Sequence, residues 1–248
     1  MLKSESRLLI GSVYCESINN NLWYKLQKNF IKKNTENFKF VIYANGADLS
    51  LFDQDDVIEH HPQKQKFGHC DGLNFIVQFA QQNKFKNLLI LDSDCFPIME
   101  NWQQKLEKEM MSFSVASVVR TEFLDTFAHP CACYIKNIHK NNIKFCYRKK
   151  TNLIGVEYCD LELDVKNFYP LLRSNLVNID PKFFAIYKGF FYHHGAGSRD
   201  IFKALNDRTK GYFSTPVDYQ EKNDYVLRML DTDPYGFIKY LNDSNLKY

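Results

Sequence analysis

The segment NLLILDSDCF, residues 87–96, decides how the rest of the chain is read. Leu88 to Leu91 form an unbroken apolar run, and such a run reads as a strand buried on both faces. Two carboxylates, Asp92 and Asp94, follow at once. Residues one apart in an extended segment share a face, so both acids can meet one object. Left alone they repel, and one of them would hold a proton. A divalent cation removes the repulsion. Mg2+ and Mn2+ take oxygen ligands and are commonly held by one or two carboxylates together with substrate phosphates. The pair therefore points to a metal that bridges to a diphosphate.

Outward from this segment, strands and amphipathic helices alternate. RLLIGSVY reads as a strand, and NNNLWYKLQKNFIKKN as a helix with Leu22, Leu26 and Phe30 on one face. FKFVIYANG is a strand closed by the turn pair Asn45-Gly46, and DVIEHH a short edge strand. GLNFIVQFAQQN is a helix through Leu73, Ile76, Val77 and Ala80, and MENWQQKLEKEMM another through Trp102, Leu106 and Met110. This order is that of an α/β protein with a mostly parallel sheet covered on both faces. Ligands of such sheets sit beyond the carboxyl ends of the strands, where Asp92 and Asp94 lie.

The second half is less regular. SFSVASVVR and CACYIKN read as strands, and DLELDVKNF as a helical turn or two ended by Pro170. KFFAIYKGFFYHH is one long aromatic strand or two strands bent at Gly189. The tail reads as two short helices broken around Pro234 and Gly236. With no internal repeat and no linker-like stretch, the 248 residues are expected to form one domain.

FYHHGAGSRD, residues 191–200, completes the chemistry of the acidic pair. Glycines let backbone N–H groups approach an anion, arginine forks onto phosphate oxygens, and a neutral imidazole is a good third ligand for manganese. His193, His194, Ser198 and Arg199 thus read as the other side of a metal–diphosphate site.

Together these stretches resemble the glycosyltransferases of the GT-A fold. LILDSDCFPIMENW is similar to the D-x-D strand, loop and helix of their family 2-like members. GHCDGLNFIVQFA resembles the helix before that strand, and YHHGAGSR the late metal loop. The likeness runs from the first strand to about Arg199; a Glu-Asp pair and a Q-x-x-R-W motif, common in family 2, do not appear. The resemblance implies a mixed, mostly parallel central sheet flanked by helices. Residues 1–100 would form the nucleotide-sugar half, 101–200 the acceptor half with the metal loop, and 201–248 the C-terminal helices. It implies transfer of a sugar from a nucleoside-diphosphate donor, a UDP-sugar first, to a hydroxyl of a glycan or lipid-linked acceptor, with Mn2+ or Mg2+ as cofactor.

By that resemblance Asp94 binds the metal directly, and Asp92 binds it through water or holds the ribose and donor sugar. His193 is the first choice for the late metal ligand and His194 the second, while Arg199 neutralises the leaving diphosphate. PQKQKFGHCDGLN precedes a helix N-terminus, a natural place for anion contact, so Lys64, Lys66, His69 and Asn74 are donor-site candidates and Asp71 a ligand or a helix cap. The strand ends at Tyr14–Ser17 and Tyr43–Asn45 would flank base and ribose. An inverting transferase needs a base for the acceptor hydroxyl, and Asp160 is the candidate, with Glu162 and Asp164 behind it. Phe123, Phe127 and Tyr158 are aromatics that could stack on sugar rings.

Two other readings stand beside this one. A phosphatase of the haloacid dehalogenase type also places D-x-D after a strand, but near the N-terminus, whereas here it lies past residue 90 and precedes Cys-Phe-Pro. A catalytically silent nucleotide- or sugar-binding module would keep the site without the acceptor base. The net charge of +3 is too mild to imply nucleic acid. Seven cysteines, an odd number without repeated spacing, argue against a disulfide framework and for a reducing compartment. In HPCAC, His129, Cys131 and Cys133 would share a strand face, read as small buried residues rather than a zinc site. No stretch approaches the ~20 apolar residues of a membrane helix. The chain reads as soluble and cytoplasmic, with room for a peripheral membrane contact through its aromatic, lysine-rich surface.

Overall fold

The computed structural model describes residues 8–17, 19–66, 68–119, 127–149, 157–174, 185–195 and 216–243. Five strands and three helices make up the first part: β1 (Leu8–Cys15), α1 (Asn20–Asn34), β2 (Phe38–Asn45), β3 (Val57–His61), α2 (Gly68–Gln82), β4 (Asn87–Asp92), β5 (Cys95–Pro97) and α3 (Trp102–Met110). The second part holds β6 (Val115–Val118), β7 (Phe127–Ile135), β8 (Phe145–Lys149), β9 (Glu157–Asp164), β10 (Tyr169–Leu171), β11 (Ala185–Tyr187) and β12 (Phe191–His193), then α4 (Pro216–Thr232) and α5 (Pro234–Asp243).

The chain adopts the expected α/β architecture, a mixed and mostly parallel central sheet flanked by helices. Its strand order is β10-β6-β7-β4-β1-β2-β3, with β9 joined to β7 and β8 to β9. β3, β2, β1 and β4 run parallel, and β7 lies antiparallel between β4 and β6. A second sheet of three strands, β11-β12-β5, is antiparallel.

The period of two along each central strand feeds two cores. Leu8, Ile10 and Tyr14 of β1 join Leu89 and Leu91 of β4 in the core beneath α1. Leu9 and Val13 join Leu88 and Ile90 in the core beneath α2. Leu88 to Leu91 are all fully buried, and burying each contributes about 1.5–3 kcal/mol, which anchors the strand that carries Asp92. α2 reaches the sheet closely because two glycines meet there. A Cβ on Gly11 would lie 2.4 Å from Ile76 Cγ2, and one on Gly72 would lie 2.6 Å from a Tyr43 ring carbon.

Each helix buries the face its spacing predicts. Leu73, Ile76, Val77 and Ala80 of α2 and Trp102, Leu106 and Met110 of α3 are buried throughout. In α1 the stripe runs through Trp23, Gln27, Phe30, Ile31 and Asn34, so that two polar side chains occupy core positions. Leu22 is only partly buried.

Three expectations for the second half change, and one open alternative is decided. DLELDVKNF is a strand followed by a short 3-10 turn at Val165–Asn167, not a helix. Its apolar residues alternate from Cys159 to Val165, a period of two, and Leu161 is buried on β9. The aromatic stretch is two strands bent at Lys188 and Gly189, whose φ values are +49° and +71°. Cys131 and Cys133 do not share a face: Cys131 packs in the core beneath α1 and Cys133 in the core beneath α2. A register shift in β7, opposite Ser117 and Val118, rotates the intervening residues. At the C-terminal end the break is at Asp233-Pro234, with Gly236 inside α5, where its N–H donates to the Asp233 carboxylate at 3.0 Å.

Candidate metal and donor site

The two acids are placed by the sheet and the histidine by the hairpin. β4 ends at Asp92, level with Val13 of β1; Ser93 and Asp94 turn, and β5 begins at Cys95. β12 pairs with β5 so that His193 stands opposite Cys95. That pairing sets the His193 ring between the carboxylates, with Nε2 3.6 Å from Asp92 Oδ2 and 3.4 Å from Asp94 Oδ1. One ligand atom from each of Asp92, Asp94 and His193 lies within 4.8 Å of the others. Asp94 is buried, and the Asp92 side chain keeps 22 % of its surface exposed.

A divalent cation fits this trio. Two carboxylates and one imidazole form an oxygen and nitrogen donor set suited to such an ion. The Asp92 Oδ1 atom is itself buried and has no hydrogen-bond partner, a costly state for a carboxylate oxygen that a cation would relieve. Burial works against charge on the His193 ring, but the Cys131 sulfur and the Asp94 carboxylate beside it outweigh burial and hold its pKa well above the ordinary value. The same negative potential that keeps a proton there would hold a metal ion in its place.

His194, the second-choice ligand, is engaged elsewhere. It is fully buried, its Nδ1 is 3.0 Å from the Tyr192 hydroxyl and its Nε2 2.8 Å from Asn223 Oδ1. Burial pushes its pKa down to about 4, so the ring is neutral near pH 7. The amide oxygen can only accept, so Nε2 carries the proton and Nδ1 accepts from Tyr192. With Trp23 packed 4.8 Å from its ring centre, His194 pegs α4 and α1 to the end of β12.

The expected donor residues divide. His69 joins the trio: it enters from the first turn of α2, with Nε2 3.5 Å from Asp92 Oδ1. Lys64 and Lys66 are exposed on the loop before α2, and Asp71 lies within the first turn of that helix rather than before it. Asn74 is turned to β8, where its amide donates to the Phe145 carbonyl and accepts from the Phe145 N–H, both at 2.9 Å. Asn45 is buried and accepts from the Gln65 N–H at 2.8 Å, tying the end of β2 to the loop before α2. Tyr14 is fully buried and donates to Gln27 Oε1 at 2.9 Å, so it stands behind the acidic turn. Asp160 lies in β9 opposite Cys146, and its side chain, like those of Glu162, Asp164, Phe127 and Tyr158, is outside the described residues. Ser198, Arg199 and Phe123 also lie outside them.

Several residues at the site carry no motif in the sequence. Gln27 donates to the carbonyls of Asp92 and Cys95, and Ser12 Oγ donates to the Leu91 carbonyl at 2.9 Å. Cys131 meets His193, Tyr187 stacks on the His193 ring at 6.1 Å, and Asn223 fixes His194. The readable signal was the polar Gln27 on the buried stripe of an amphipathic helix. The others depend on pairings between distant segments.

No protein-family model matches the sequence, and no curated protein is similar to it. Solved structures match parts of the chain at low similarity. The mannosyltransferase PcManGT from Pyrobaculum calidifontis, in complex with GDP-Man and Mn2+, is 12 % identical with a TM-score of 0.39, over 54 % of this chain and 45 % of its own. The galactosyltransferase LgtC, in complex with donor and acceptor sugar analogs, is 9 % identical with a TM-score of 0.35, over 53 % of this chain and 58 % of its own. A197 from STIV is 14 % identical with a TM-score of 0.37, over 78 % of this chain and 97 % of its own. The chain thus matches less than two thirds of the length of either transferase, and at these scores and identities the reading of the site rests on its own residues.

Proposed function

We propose that this chain is a metal-dependent glycosyltransferase of the GT-A type, moving a sugar from a nucleoside-diphosphate donor to a hydroxyl acceptor. The observation that carries the reading is the convergence of Asp92, Asp94 and His193 at the carboxyl edge of a doubly covered sheet. Asp94 and His193 would hold the cation. Asp92, whose buried Oδ1 lies beside His69, would complete the trio. When bound, Mn2+ or Mg2+ would neutralise the charge that builds on the departing diphosphate, and the imidazole ligand favours Mn2+. Arg199 would meet that diphosphate, and Asp160 would take the proton of the acceptor hydroxyl. Interactions of this kind act on charge present mainly in the transition state, so they raise the rate rather than only tighten binding.

The donor is proposed to be a UDP-sugar and the acceptor a glycan or lipid-linked sugar. A single domain with residues 1–100 at the donor and 101–200 at the acceptor suits this division of labour. No helix among the described residues is long and apolar enough to cross a membrane. The six described cysteines are free thiols, the state of a reducing compartment, and we assign the protein to the cytoplasm with a peripheral membrane contact left open.

Thermal shift with UDP-, GDP- and CMP-sugars, each with and without Mn2+, tests the reading. One nucleotide sugar is expected to stabilise the protein only when Mn2+ is present, and Asp94→Asn is expected to abolish that shift. No shift with any of the three in Mn2+ would remove the donor site from the proposal. Donor hydrolysis or transfer then separates an enzyme from a silent binding module.

A further inference from the structure

The turn that carries Asp92 and Asp94 is gripped through its backbone. The Leu91 carbonyl accepts from Ser12 Oγ at 2.9 Å, and the Asp94 carbonyl accepts from the His194 N–H at 3.1 Å. The Tyr14 hydroxyl lies 3.5 Å from the Ser93 carbonyl. One side chain spans the turn from end to end. Gln27 Nε2 donates to the Asp92 carbonyl at 2.9 Å and to the Cys95 carbonyl at 2.7 Å. Its Oε1 accepts the Tyr14 hydroxyl at 2.9 Å, and Gln27 is fully buried.

This arrangement uses all that a glutamine amide offers here. Both N–H bonds go to carbonyls, and the oxygen takes a hydroxyl proton. The two carbonyls settle which way the amide faces, and Tyr14 donates to its oxygen. The Tyr14 hydroxyl is held as a neutral donor, since burial and then the Asp94 charge push its pKa well up. An amide turned the other way would set its oxygen against two carbonyl oxygens. Its two acceptors stand at either end of the turn, and its stem comes from a different element, α1.

The need for such a grip follows from the charges. Asp92 and Asp94 are like charges carried on one turn, and the turn between them would widen under their repulsion if it were free to do so. We propose that Gln27 is the positioning residue of this site: it holds the turn from Asp92 to Cys95 at the width at which both carboxylates and His193 meet one divalent cation. The inference rests on the metal reading of the trio and adds to it that the site is set before the cation arrives. Side chains that orient metal ligands in this way typically change metal affinity 10–100-fold when replaced.

The test is a Mn2+ titration of the whole chain, followed by the electron paramagnetic resonance signal of free Mn2+, on four proteins. Wild type is compared with Gln27→Met, which keeps the length and loses both donors, with Tyr14→Phe, which keeps the amide and loses the hydroxyl that donates to its oxygen, and with Val77→Ala. Val77 sits in the core beneath α2 and serves as a control for general loss of stability. Gln27→Met is expected to weaken Mn2+ binding about tenfold or more, and Tyr14→Phe less in the same direction. Val77→Ala is expected to lower the melting temperature and leave Mn2+ binding as it is. Folded Gln27→Met that binds Mn2+ like wild type overturns the inference. If Gln27→Met does not fold, unchanged binding by Tyr14→Phe overturns it instead. Saturable binding by wild type is read first, and its absence overturns the metal reading itself, which distinguishes the two failures.

Discussion

The parts of the chain before and after α3 supply one site by opposite means. Asp92 and Asp94 hang from a strand whose neighbours run in unbroken register, β1 against β2 and β1 against β4. His193 hangs from a strand of three residues, held by equally short partners, and the nearby β7 shifts register against both β6 and β9. Placement of the acids starts from four consecutive buried aliphatic residues and is completed by the grip of Ser12 and Gln27 on the turn. Placement of the histidine depends on residues 185–187, 95–97 and 223, which lie far apart in the chain. The candidate metal site built across the two parts puts two of its three ligands on the central sheet and its end, and one on the piece that long-range pairing secures.

Neighbouring histidines on that second piece offer the sharpest way to break this comparison. His193→Ala is expected to weaken Mn2+ binding by at least the ~100-fold that loss of an outer partner can reach, with little change in melting temperature. His194→Ala is expected to do the reverse. It leaves the Tyr192 hydroxyl and Asn223 Oδ1 without their partner in a buried place, at a cost of about 2–4 kcal/mol in urea unfolding. Equal loss of Mn2+ binding in both variants would dissolve the distinction between ligand and peg.

Acidity separates the same two rings. The raised pKa of His193 means that a proton must leave before a cation binds at Nε2. Mn2+ affinity is therefore expected to rise with pH, up to about tenfold per unit while the ring is still protonated. Titrations at pH 6, 7 and 8 check this, and a flat profile would refute it. His194 has a folded pKa lowered to about 4, below its ordinary value. Between that value and about 6.5 the unfolded chain binds the proton and the folded one does not. Its contribution is thus full above about 6.5 and is lost as pH falls through the window toward 4, by about 3 kcal/mol at most. The urea midpoint of His194→Gln, set against wild type, should show a flatter slope over that window.

The smallest expected effect probes the join between the two parts. Asn74→Ala removes both hydrogen bonds from α2 to the start of β8, at a cost of about 1–2 kcal/mol, and should leave Mn2+ binding intact. A large loss of metal affinity in this variant would return Asn74 to the donor site.

Much of this was legible in the residues. The run from Leu88 to Leu91, the stripes of α2 and α3 and the D-x-D that follows β4 read as the structure has them, because each is a local period of two or of three to four. Of the adjacent histidines, His193 lies beside the two acids, while His194 bonds to Asn223. The strand β9 was missed by reading a cluster of acids as a helix start, although its apolar residues alternate. Tyr14 and Asn45 sit near strand ends and Asn74 in the second turn of α2, and each turns inward to a backbone or side-chain partner that no spacing reveals.

The residues alone determined the buried strands, the amphipathic helices and the acidic pair at a strand's carboxyl end, since periodicity and burial are local properties of the chain. Tertiary structure decided what faces that pair. The antiparallel pairing of β12 with β5 carried His193 to the carboxylates and left His194 in the core. A helix packed against β5 brought Gln27 to both ends of the acidic turn. Contacts between segments tens of residues apart are set by how whole elements pack, and no stretch of the sequence contains them.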